Sequence, residues 1–166
     1  MGYQLIETIE VGAGGAASIE FTGIDQTGVD LQVVLSARSS GYSVALCQFN
    51  NDSGSNYSYR SLRGQGVSAD SLSNTTTYGW VSYITNVGYT ANTFGNAQLY
   101  LPNYTSSSAK SYSADGVNED NATYAYQMLT AGSWTGTAAI TSVKLILLSA
   151  NYLQYTTASL YKITAD

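Results

Sequence analysis

The chain has 166 residues, six basic and eleven acidic side chains, a net charge of −5 at pH 7 and no histidine. The absence of histidine excludes catalytic triads that need an imidazole and argues against zinc, copper and haem sites. Charged residues make up only 10% of the chain, and the six basic ones are scattered. We therefore expect no nucleic-acid binding, because phosphates would meet no basic stripe.

Three further features of the sequence bear on the redox state of its cysteine and on the cellular compartment of the protein. The single cysteine, Cys47, lies between apolar neighbours and cannot form an internal disulfide, so we interpret it as an inert buried side chain. No run approaches the roughly eighteen apolar residues of a membrane span. The N-terminus is neither basic nor apolar enough for a signal peptide. These features predict synthesis in the cytoplasm and no membrane association.

The N-terminal third reads as four β-strands separated by turn residues. Tyr3–Val11 ends at the glycine-rich turn Gly12–Gly15, and Ser18–Ile24 then alternates between apolar and polar residues. Leu31–Ala37 is nearly continuous in Leu and Val, which predicts a strand covered on both faces. A short Ser/Gly turn then predicts a hairpin to Tyr42–Phe49.

The rest of the chain continues in the same way, with polar loops at Asn50–Asn56 and Ser68–Thr77. Pro102 lacks a backbone N–H, so its strand should be an edge strand or bulged there. A helix over Asn121–Ala131 is disfavoured by its Thr and Tyr residues. The further predicted strands are Tyr57–Leu62, Tyr78–Ile84, Gln98–Tyr104, Lys110–Val117, Thr123–Leu129, Ile140–Leu148 and Ala158–Ile163.

This pattern predicts an all-β fold, a single domain over residues 1–166. About ten short antiparallel strands with frequent turns are typical of a β-sandwich or jelly roll. A core of this size needs neither a metal nor a disulfide to be stable.

The sequence offers few candidate sites for catalysis or metal binding. The cluster Asn118–Asn121 could supply oxygen ligands to calcium, but it lacks EF-hand spacing and also fits a solvated turn. The remaining acids are dispersed, although two of them could meet across a cleft as in a glycosidase. We assign no catalytic residue, no cofactor and no metal, and we expect a protein that is not an enzyme.

Fifteen tyrosines are the strongest compositional signal. A tyrosine buries a large ring while its hydroxyl stays at a wet rim, which suits protein interfaces and also stacking on sugars. The third reading is that many of these rings only line a sheet face. The residues singled out as an interface are Tyr57, Tyr59, Tyr100, Tyr104, Tyr124 and Tyr126.

The order of short motifs along nearly the whole chain resembles a family of virion proteins from phages of aquatic bacteria, including cyanophages. The motifs that carry the resemblance are Tyr3–Ile6, Ile9–Gly12, Ser18–Ile24, Asp30–Val33, Asn92–Asn96, Leu101–Tyr104, Asn121–Thr123, Ala138–Val143 and Gln154–Tyr161. The resemblance implies a β-sandwich or jelly roll, often assembled as a trimer. It supplies no catalytic motif.

Two functions are expected from this resemblance. The first is a capsid decoration (cement) protein on the outer surface of the virion, which binds across junctions of the major capsid protein and is made in the bacterial cytoplasm. A Met start with no fibre shaft before it favours this expectation. The alternative is a tail-fibre or receptor-binding domain that recognises host surface glycans.

Overall fold

The computed structural model describes residues 2–119 and 125–165, which form twelve β-strands. These residues include no helix, and hence no helix that could cross a membrane. The strands are β1 (Gly2–Glu10), β2 (Ser18–Phe21), β3 (Asp30–Ser39), β4 (Ser43–Phe49), β5 (Tyr57–Gln65), β6 (Ser68–Thr76), β7 (Gly79–Asn86), β8 (Gly95–Leu101), β9 (Lys110–Asn118), β10 (Tyr126–Trp134), β11 (Val143–Leu147) and β12 (Thr157–Thr164).

The strands form two layers. The small layer has the order β2-β11-β4-β7, and the large layer has the order β6-β5-β10-β9-β8-β3-β12-β1. The end of β3 joins the layers by pairing in parallel with β7 at Arg38 and Ser39, whereas the other strand pairs are antiparallel. The all-β class and the sandwich are thereby confirmed, with twelve strands where about ten were expected. The jelly roll stays a prediction.

The main core lies between the two layers. Along β3, Leu31, Val33 and Leu35 point inward and are at most 3% exposed. At the centre of this core, the ring of Phe49 lies 5.8 Å from Trp134 and 5.9 Å from Tyr112. Burial of such side chains stabilises the fold by about 1.5–3 kcal/mol each. Cys47 is fully buried here, as expected.

A second, smaller core lies on the other face of the small layer. The large layer curls around β7, so that Tyr126 and Met128 of β10 reach Val44, Leu46 and Tyr83. β4 and β7 are therefore buried on both faces. The strand expected to have this property, Leu31–Ala37, instead alternates, and its Val34 is 42% exposed.

Three local predictions are corrected by the structure. The hairpin between β3 and β4 does not form, because β3 ends against β7 in the other layer. Ser68–Thr77 is not a loop: β6 pairs with β5 over all nine of its residues. Pro102 follows the end of β8, which is an interior strand between β3 and β9.

Two other local predictions agree with the structure where it describes them. The turn over Gly12–Gly15 is closed by a hydrogen bond from the Gly15 N–H to the Gly12 carbonyl oxygen, and Gly15 has a φ of +69°. The strand expected over Thr123–Leu129 is found as β10, which begins at Tyr126. The first two residues of that predicted strand lie outside the described ranges.

Candidate binding surfaces

Two of the six tyrosines that were singled out as an interface hold loops in place through hydrogen bonds to the backbone. The Tyr57 hydroxyl accepts from the Phe49 N–H at 2.9 Å and donates to the Asp52 carbonyl oxygen at 3.1 Å. The Tyr104 hydroxyl accepts from the Gly28 N–H at 3.0 Å and donates to the Asp25 carbonyl oxygen at 2.6 Å. Both rings are at most 1% exposed, so neither is available to a partner.

The remaining members of the set have different positions. Tyr59 and Tyr126 are each 7% exposed and pack against other aromatic rings, so the interface assignment does not fit them either. Tyr100 is 37% exposed on β8, where its hydroxyl donates to Asp30. Tyr124 lies outside the described residues. Of the five members of the set that the structure describes, Tyr100 alone is substantially exposed to solvent.

One broad surface is the solvent-facing side of the five central strands of the large layer. Strand register arranges fifteen residues in three rows across β5, β10, β9, β8 and β3. We call it the outer sheet face: Arg60, Leu62, Gly64, Gln127, Leu129, Ala131, Ser113, Asp115, Val117, Asn96, Gln98, Tyr100, Gln32, Val34 and Ser36.

The outer sheet face has almost no charge and several exposed apolar side chains. Arg60 and Asp115 are its two charged members. Leu62 and Leu129 lie opposite each other on β5 and β10 and are 62% and 58% exposed. They border an open hollow of about 410 Å³ whose other walls include Ser71 and Ser73 of β6. A partner protein can cover such a surface without burying many unpaired charges.

A second surface is an array of rings on the opposite side of β10, which we call the aromatic cluster: Tyr42, Tyr59, Trp80, Tyr83 and Tyr126. Tyr83 is its centre, with ring centroids 4.5 Å from Tyr126, 5.7 Å from Tyr42 and 6.0 Å from Trp80. Tyr59 stacks on Trp80 at 5.0 Å. Neither Tyr42 nor Trp80 was singled out from the sequence, because their contacts with Tyr83 depend on tertiary packing.

Arg63 closes one end of the aromatic cluster. Its guanidinium lies over the Tyr83 ring at 5.6 Å and donates to the Tyr83 hydroxyl at 2.9 Å. It also binds both carboxylate oxygens of Asp70, at 2.9 and 2.5 Å. This bidentate ion pair with Arg63 lowers the pKa of Asp70 and keeps both groups ionised. The ion pair is therefore already complete within the chain.

Within the described residues, the cysteine and two of the acidic side chains have structural roles. Burial raises the pKa of the Cys47 thiol to about 12, which opposes thiolate formation. Asp52 accepts from the Trp134 indole N–H at 2.7 Å, and Asp25 binds Lys162 at 2.8 Å. The Lys162 ammonium is the main reason that the pKa of Asp25 falls to about 2.

The candidate calcium cluster is only partly described. The Asn118 side-chain oxygen accepts from the Tyr126 N–H at 2.7 Å, while residues 120 and 121 lie outside the described ranges. Across residues 2–119 and 125–165, no three acidic or cysteine side chains gather as a metal site. No protein-family model matches this chain, and no curated protein or solved structure is significantly similar to it.

Proposed function

We propose that this protein is a non-catalytic structural protein of a phage virion. In this proposal it is a capsid decoration protein on the outer surface of the head that binds across junctions of the major capsid protein. The resemblance in motif order suggests the virion, and one structural observation supports a contact role. The outer sheet face carries only two charges among fifteen residues, with Leu62 and Leu129 adjacent and exposed.

A partner bound to the outer sheet face would cover apolar side chains together with neutral polar ones. Exposed contiguous apolar side chains favour burial by another protein. The neutral Ser, Asn and Gln side chains around them can exchange water for hydrogen bonds with that partner. Many copies of moderate affinity, each touching two capsid subunits, would together stabilise the shell against internal pressure.

Assembly as a homotrimer is part of the proposal. Within the described ranges, β6 pairs with β5 alone and leaves its other edge open along nine regular residues. An open regular edge can accept a strand from another subunit, and closed three-fold symmetry would limit further growth. The mass of the assembly in solution tests this, and a monomer at micromolar concentration would rule the trimer out.

The decisive experiment uses shells that lack the protein, decorated with the purified chain and then heated. We expect the wild type to bind in hundreds of copies and to delay DNA release. The double variant Leu62→Asp, Leu129→Asp should lose binding, because two charges would be buried without partners. Val67→Asp is the matched control, since Val67 is fully exposed in the turn between β5 and β6.

Three results would reject the proposal. One is equal heat resistance of shells with and without the bound protein. Another is full binding by the double Asp variant, which would remove the outer sheet face from the contact. The third is antibody labelling of only a few copies per particle, which would place the protein in the tail.

A further inference from the structure

A concave site opens beside the aromatic cluster, away from the outer sheet face. This cavity measures about 440 Å³ and is lined by Tyr42, Asn86, Gly88, Tyr89 and Tyr126. Its volume lies within the range of small-molecule sites, about 300–1,000 Å³. Tyr42 stands at the rim with 61% of its surface exposed, whereas Tyr126 and Asn86 are largely buried. The cavity therefore combines one accessible ring with fixed walls.

The cavity wall is neutral. Its five lining residues include no acid and no base. Two cations lie close to these residues. Arg63 is bound to both oxygens of Asp70, and the buried Arg38 donates to backbone carbonyl oxygens, that of Tyr89 among them. Partial desolvation of its hydroxyl raises the pKa of Tyr42, whose phenol is protonated at neutral pH. An ionic ligand would find no charged side chain on the cavity wall.

The walls offer ring faces, hydroxyl groups and one carboxamide. The electron-rich face of a tyrosine ring attracts the C–H bonds on the apolar face of a sugar. Hydroxyl and amide groups at the edge of the rings can then bond to the sugar hydroxyls. Asn86 is held in place because its side-chain oxygen accepts from the Gly88 N–H at 2.8 Å.

We propose that this cavity binds one neutral sugar unit of a polysaccharide, with Tyr42 as the stacking ring. The site is compatible with a covered outer sheet face, because side chains alternate along β10. Tyr126 and Met128 face the aromatic cluster, while Gln127 and Leu129 face the outer sheet face. A subunit held to a shell by one side would present its sugar site on the other.

The test is a titration of the isotope-labelled full chain with the neutral disaccharides maltose, cellobiose and lactose, followed by backbone amide NMR signals. We expect at least one sugar to shift the Gly88 and Tyr89 amide signals in a saturable way. Tyr42→Ala should weaken that binding by about tenfold or more, the usual cost of losing an aromatic anchor. Tyr42→Phe, which keeps the ring, should weaken it less.

Tyr3→Ala is the matched control, because Tyr3 is 65% exposed on β1, at the opposite end of the large layer from β5 and β6. It should leave sugar binding unchanged. No saturable shift with any of the three sugars would overturn the proposal, as would equal binding by Tyr42→Ala. Binding of glucuronic acid in preference to the neutral sugars would overturn the assigned ligand class. Each readout is independent of capsid binding.

Discussion

At the scale of single residues, tyrosine serves two separate purposes in this chain. Tyr57 and Tyr104 lie in the core and use their hydroxyls to bond backbone groups of loops, whereas Tyr42 exposes its ring. The distinction depends on which face of a strand a residue occupies and on what the chain places above it. A count of tyrosines therefore indicates neither an interface nor a core by itself.

Replacing Tyr104 with Phe tests the structural role. The ring would stay buried, but the Gly28 N–H and the Asp25 carbonyl oxygen would lose their partner. Gly28 is half-buried and Asp25 is exposed, so water can partly replace the hydroxyl, and we expect Tyr104→Phe to lower the free energy of unfolding by about 0.5–1.5 kcal/mol. Chemical denaturation monitored by tryptophan fluorescence measures it. Tyr3→Phe, at an exposed position, should change stability little.

At the scale of strands, close approach of β7 to the large layer requires glycine. A Cβ on Gly116 of β9 would overlap the Ser82 hydroxyl of β7 and would come within 2.9 Å of the Asn96 carbonyl oxygen. A Cβ on Gly132 of β10 would overlap the Tyr112 ring. Gly116 thus permits the close approach of β7, and Gly132 makes room for a ring of the neighbouring strand β9.

Gly116→Ala should destabilise the protein by about 1–3 kcal/mol, the usual cost of overfilling a packed interior. The control is Gly64→Ala on the outer sheet face, where a Cβ would meet its nearest neighbour, Gln127, at 3.9 Å. Alanine there should be neutral or slightly stabilising, because glycine weakens a strand interior. Thermal unfolding of both variants gives the comparison, and equal midpoints would contradict the packing argument.

Strands with an apolar inner face could be predicted from the sequence, and those without one could not. Predicted strands at Tyr57–Leu62 and Ala158–Ile163 match β5 and β12 because inward residues alternate with outward ones. Ser68–Thr76 gave no such signal, since β6 is an edge strand with mostly exposed Ser, Asn and Thr side chains. Its identity as a strand comes from backbone pairing with β5.

The contact surfaces were not predictable for a related reason. Leu62 and Leu129 were counted within strands, but assigning them to the solvent side requires the register of β5 against β10. Adjacent Met128 and Leu129 are both apolar, and only their alternation in the folded sheet places one in the core and the other on the surface. Local pattern identifies a strand, whereas tertiary pairing decides which face it shows.

At the scale of the whole molecule, the all-β class followed from composition and turn spacing, but the curl of the large layer did not. That curl brings β10 against β7 through residues far apart in the chain, such as Tyr83 and Tyr126. Contacts of this kind leave no local periodicity. The result is a molecule with a nearly uncharged sheet face on one side of β10 and the aromatic cluster with its cavity on the other.

Because the chain carries few charges, its binding to the shell should depend little on salt concentration. If the outer sheet face binds the shell, burial of apolar and neutral groups drives the contact, with Arg60 and Asp115 as its only charged members. Salt then has few charge–charge interactions to screen, although the Debye length falls from about 10 to about 3 Å between about 0.1 and 1 M NaCl. We expect the dissociation constant from decorated shells, measured by sedimentation at each salt concentration, to change by less than about threefold. A weakening of about tenfold or more would mean that ion pairs carry the contact, and would exclude the outer sheet face as its main component.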